Sequence, residues 1–142
     1  MKKHYKVVVG GPLNYVFNRE QLTAIEDVLE RDLVELGVRS VFLIDMAGNI
    51  IANKGNGEGR HDIYSLAALA AGNFGAVSTM AKLIGEEEFS LLFHRGREES
   101  IHFSKLADDF LLITIFGKAL SLGFLRLKVA EATGKIAAIL EC

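Results

Sequence analysis

The chain has 142 residues, half of them hydrophobic, 24% charged and one a proline, which is enough for one domain with a packed core and too apolar for a disordered chain. A net charge of −2 argues against a protein that works by neutralising nucleic-acid phosphates, which would carry a basic excess. Cys142 is the only cysteine, so no disulfide can form within the chain, which fits a reducing cytoplasm.

Residues 1–17 read as an N-terminal extension to a domain of residues 18–142. The start, through Lys2, Lys3 and Lys6, is basic, but only Val7-Val8-Val9 precede Gly10-Gly11-Pro12, too short an apolar run for a signal-peptide core. Tyr5 to Val9 is expected as a short strand, broken by the Gly-Gly-Pro. Asn18 with Gln21 predicts a capping box opening a helix. Leu22, Ile25, Leu29, Leu33 and Leu36 recur at helical spacing, and Gly37 is a natural stop. The other face, Glu20, Glu26, Asp27, Glu30, Asp32 and Glu35, reads as solvated. Ser40–Asp45 and Ile50–Asn53 predict a hairpin around the turn Met46-Ala47-Gly48-Asn49. A glycine-rich linker, 55–60, leads to Asp62 as cap of a long helix ending near Gly85. Strands are expected over 89–95, 100–106 and 109–116. Ser121 opens a last helix with the stripe Leu122, Leu125, Val129, Ala132, Ile136 and Ile139.

Strand composition suggests strand order. Val41-Phe42-Leu43-Ile44 and Phe110 to Phe116 are almost continuously apolar, as central strands are, whereas the strands over 89–95 and 100–106 alternate and belong nearer the rim. A mostly antiparallel five-stranded sheet with helices on both faces satisfies the pattern.

The long helix is unusual because no residue between Asp62 and Lys82 is charged. One side collects Ile63, Ala67, Ala70, Phe74, Val77 and Ala81; the other collects Ser65, Ala68, Leu69, Gly72, Ala76 and Thr79. An ordinary surface helix keeps one charged face, so this helix should be covered on both sides. Tyr64, Ser65, Asn73, Ser78 and Thr79, with much Ala and Gly, make a membrane span a poor explanation. The expected arrangement has Phe74 and Val77 on the protein's own sheet and Gly72 and Ala76 on another protein. One two-fold contact would also cover the exposed edge strand, adding Phe89 and Leu91 to that interface.

No catalytic set emerges. His94 and His102 flank the 96–99 turn, but pairing Arg95 with Ser100 would point them to opposite sides of the sheet, so no metal site is expected. The loop Gly55-Asn56-Gly57-Glu58-Gly59-Arg60 lacks the Gly-Lys-Ser/Thr ending of a phosphate loop, and Val7 to Pro12 lacks a following Gly-x-Gly-x-x-Gly. Neither predicts a cofactor, and no Gly-x-Ser-x-Gly turn offers a nucleophile.

The hairpin Leu43-Ile44-Asp45-Met46-Ala47-Gly48-Asn49-Ile50-Ile51-Ala52 and the helix Leu66-Ala67-Ala68-Leu69-Ala70-Ala71-Gly72-Asn73-Phe74 resemble the Roadblock/dynein-light-chain family over about residues 19–140. The resemblance implies an α+β fold in α/β/α layers: a five-stranded antiparallel sheet in the order 2-1-5-4-3, one long helix on one face and two on the other. It also implies a homodimer built on the long helix and third strand. Short bacterial members with an N-terminal extension are partners of MglA-like, Ras-like small GTPases that govern cell polarity and motility. The implied role is a regulator, not an enzyme itself, that stimulates GTP hydrolysis by holding the GTPase switch regions in position. Arg60, Arg95 and Arg97 lie on loops or turns, but nothing selects one as a trans-acting arginine. The alternatives are a scaffold that leaves GTP turnover unchanged and a small-molecule sensor, which would need convergent polar groups around a pocket.

Overall fold

The computed structural model describes residues 6–9, 15–55, 61–89 and 92–141. Strands β1 (Lys6–Val9) and β2 (Tyr15–Asn18) pair antiparallel as a separate two-stranded sheet. Only the first was expected, because β2 has no turn signal after it and runs directly into a helix cap. Asn18 closes β2 and caps α1 (Arg19–Asp32). Its Oδ1 accepts the Gln21 amide at 2.7 Å while Gln21 Oε1 accepts the Asn18 amide at 3.0 Å, completing the capping box.

Ile25, Leu29 and Leu33 are fully buried along α1 and its end. A 3-10 turn, Val34–Leu36, then tightens the chain, and Gly37 stops it at φ 111°. The tighter winding corrects the expected stripe. It carries Leu36 off the α-helical face and leaves it 39% exposed.

The main sheet contains β3 (Ser40–Asp45), β4 (Ile50–Gly55), β5 (Leu92–Arg95), β6 (Glu99–Leu106) and β7 (Phe110–Gly117). Its order is β4-β3-β7-β6-β5 with every pair antiparallel, which is 2-1-5-4-3 when these strands are counted alone. The two apolar strands are central, and every residue of β3 and β7 except Ser40 and Gly117 is buried. Strand bounds differ at the rim. β4 continues to Gly55, and β5 starts at Leu92 rather than at Phe89, which precedes it as irregular chain.

Alternation along the strands divides the core into layers. Val41, Leu43, Leu112 and Phe116 face α1 and α3 (Leu122–Leu140). Phe42, Ile44, Leu111 and Ile113 face α2 (Ile63–Leu83). The stripe of α3 buries Leu125, Val129, Ala132 and Ile136, and Lys135 donates to Asp32 of α1 at 2.7 Å. The result is the expected α/β/α arrangement, with α2 alone on its face.

Candidate functional site

The position of α2 is fixed at its first turn. Asp62 accepts the Ser65 amide at 3.1 Å and the Ser65 hydroxyl at 2.7 Å. That hydroxyl first, and the amide second, hold the Asp62 carboxyl below its ordinary value, the normal consequence of hydrogen bonds to the charged form. One residue earlier, His61 bridges two strands. Its Nδ1 lies 2.8 Å from Ser40 Oγ and its Nε2 3.0 Å from Glu99 Oε2, which Arg39 also approaches at 3.5 Å. Serine, histidine and carboxylate are the residue types of a hydrolytic triad, but here the imidazole ties the entrance of α2 to the ends of β3 and β6. No sequence motif marks this cluster, because its members lie 21 and 38 residues apart.

The β3–β4 turn supports the helix from below. Asp45, buried, accepts the Ala47 and Asn49 amides at 3.0 and 2.9 Å and the Asn49 side chain at 2.9 Å. Gly48 then passes α2 so closely that a Cβ there would stand 3.1 Å from Ala68 Cα. The Asp-x-x-Gly pattern of the hairpin is therefore a device for seating α2 on the sheet.

Ala67, Ala70 and Ala81 are buried, and Phe74 packs on the same core. The opposite side is open. Ser65, Ala68, Leu69, Gly72, Ala76 and Thr79 are all exposed, as the two-faced reading requires of an isolated protomer. A Cβ on Gly72 or Gly75 would meet nothing within 4 Å. Leu69 is 71% exposed, and Tyr64, Met80, Leu83 and Ile84 extend the surface along the helix. Those four are absent from the predicted stripe, although four residues on from Ala76 is Met80 and seven residues on is Leu83. By length and composition α2 is apolar enough to cross a membrane, yet in this fold it lies along the sheet. Phe89 is partly exposed beyond the helix. Leu91, Arg60 and Cys142 lie outside the described residues, as does the linker after Gly55.

The two histidines near the 96–99 turn are placed as the register argument expects: Arg95 pairs with Ser100, His94 with Ile101 and Phe93 with His102. They occupy opposite faces of the sheet, with His94 exposed and His102 buried. Among the described residues no three His, Cys, Asp or Glu side chains converge on a metal-sized site. Arg95 and Arg97 are exposed at the β5–β6 turn.

The model of the Roadblock/LC7 domain matches residues 24–116. Among solved structures, MglB of Myxococcus xanthus is 35% identical, with a TM-score of 0.80 over 89% of this chain and 95% of that one. The gliding protein MglB of Thermus thermophilus is 29% identical, with a TM-score of 0.78 over 94% and 95%. An MglB described in a tetrameric arrangement is also 29% identical, with a TM-score of 0.79 over 94% of each chain. No curated protein matches by sequence. The hairpin that seats α2, the five-strand order and these similarities agree: the chain belongs to the Roadblock/LC7 family and is an MglB-like member of it.

Proposed function

We propose that this protein is a cytoplasmic homodimeric regulator of an MglA-like, Ras-like small GTPase, and that the outer face of α2 carries its interactions. The observation that carries this reading is that face itself. A soluble monomer seldom leaves a continuous apolar helix surface bare, and this one joins large side chains at Leu69 and Met80 to glycines that permit close approach. The similarity to MglB proteins supplies the class of partner. The domain of residues 18–142 would act by position, holding the GTPase switch regions in a hydrolysis-competent arrangement and linking the protein to cell polarity or motility. The tetrameric arrangement described for one MglB makes self-association a natural expectation.

The test is GTP hydrolysis by the cognate GTPase with and without this protein, together with Gly72→Arg. The new side chain meets nothing within the protomer, so the fold should persist while dimerisation or GTPase binding is lost. Absence of both binding and a rate change with the unaltered protein would reject the proposal. Binding with unchanged turnover would instead favour a scaffold.

A further inference from the structure

Arg95, Ser100 and Phe116 are direct neighbours across β5, β6 and β7, so their side chains share one face of the sheet. It is the α3 face, because Phe116 belongs to the core layer under α1 and α3 and stacks on Phe93 with ring centroids 6.0 Å apart. The Arg95 guanidinium lies 5.6 Å over that same Phe93 ring. The β5–β6 turn that follows Arg95 is tight: Gly96 donates its amide to the Glu99 carbonyl at 2.9 Å, and a Cβ on Gly96 would collide with that carbonyl. This row and this turn border a cavity of about 410 Å³, whose opposite side is the β7–α3 connection from Gly117 to Leu122.

The charges lining the cavity do not balance. Arg95, Arg97 and Lys118 stand against one carboxylate, Glu98. Neither arginine makes an ion pair among the described residues. Glu98 reaches Lys118 only at 3.8 Å between two exposed side chains, a pairing of little worth in water. The turn's other acid, Glu99, is held by His61 and Arg39 at the entrance of α2, across the sheet. The cavity therefore keeps two uncompensated positive charges beside an apolar floor of Phe116, Leu120 and Leu122. A guanidinium fork matches the oxygens of phosphate or carboxylate, but a phosphate monoester carries about −1.5 to −2 near neutral pH and a carboxylate a single charge. The charge excess selects the phosphate, and the volume lies within the range of small-ligand pockets.

We infer that this cavity binds a soluble phosphomonoester with a small apolar body, its phosphate on Arg95, Arg97 and Lys118 and its body against Phe116, Leu120 and Leu122. The site lies on the face of the sheet opposite α2 and does not rest on GTPase regulation.

Phenyl phosphate is the probe, titrated into the full-length protein near neutral pH while the Gly96 and Gly117 amides are followed by ¹H–¹⁵N NMR. A saturable shift is expected at both, with affinity lower by about tenfold or more in Arg97→Gln and in Lys118→Gln, the worth of one charge-assisted hydrogen bond. Arg97 and Lys118 are exposed, so these replacements leave the core untouched. Benzoate, which keeps the ring with a single charge, and inorganic phosphate, which lacks the ring, should each bind more weakly. Absence of a saturable shift would overturn the inference, and so would unchanged affinity in either variant or equal affinity for benzoate or inorganic phosphate. Capture on phosphatidylcholine vesicles carrying phosphatidate, without a response to phenyl phosphate, would assign the charge to a membrane surface and overturn it as well.

Discussion

Gly48 shows how one residue joins local conformation to packing. Its φ of +91° suits glycine, and its missing Cβ leaves room for the backbone of Ala67 and Ala68. Gly48→Val should therefore lose about 1–3 kcal/mol, combining backbone strain with displacement of α2, as measured by urea unfolding. His102 is the second informative residue. Burial, and secondly the Arg126 charge, push its imidazole down to about 4 in the folded protein from near 6.5 when unfolded, so between those values the unfolded chain holds more protons. Stability should fall as pH drops from 6.5 towards 4, by at most about 3 kcal/mol, with solvent screening reducing that figure. The charged group bearing on the ring is Arg126, and Thr114 is its cross-strand neighbour. Subtracting the pH profile of His102→Leu from that of the unaltered protein isolates the contribution, and an identical slope in the two would contradict it.

At the scale of elements, α2 carries the functional argument because its inner and outer faces obey different requirements. The inner alanines allow the helix to lie close to the sheet, with Ala67 fully buried. The outer glycines serve no such contact within the protomer, and glycine in a helix interior is unfavourable by about 0.5–1 kcal/mol relative to alanine. Gly72→Ala and Gly75→Ala should each stabilise the protomer by about that amount in denaturant unfolding. If another helix packs closely there, the same methyl groups should weaken the dimer in sedimentation equilibrium. Opposite signs in the two measurements are expected; a gain in both would place the dimer contact elsewhere. The periodicity of α2 separated Ala67 and Ala70 from Gly72 along the chain, but how closely each side is packed depends on where the helix settles on the sheet.

For the whole molecule, a homodimer joined through α2 links folding to association. The thermal midpoint should then rise with protein concentration, because assembly favours the folded chain by mass action. Gly72→Arg should remove that dependence while leaving the far-ultraviolet circular dichroism of the fold. A midpoint independent of concentration in the unaltered protein would argue against obligate assembly.

The order of the three helices and the five main-sheet strands, the capping of α1, α2 and α3 by Asn18, Asp62 and Ser121, the central strands and the two-faced character of α2 are legible in the chain alone, whereas β2 and the 3-10 turn after α1 are not. The legible features follow from periodicity and from hydrogen bonds spanning a few residues, so they can be read along the chain. The tertiary structure decided the rest: His61 between Ser40 and Glu99, Gly48 beneath Ala68, and His102 beside Arg126. Each of these joins residues far apart in the chain, and their meeting depends on strand register and on where each helix settles. Periodicity assigns a side chain to a face; only the packed layers determine what it meets there.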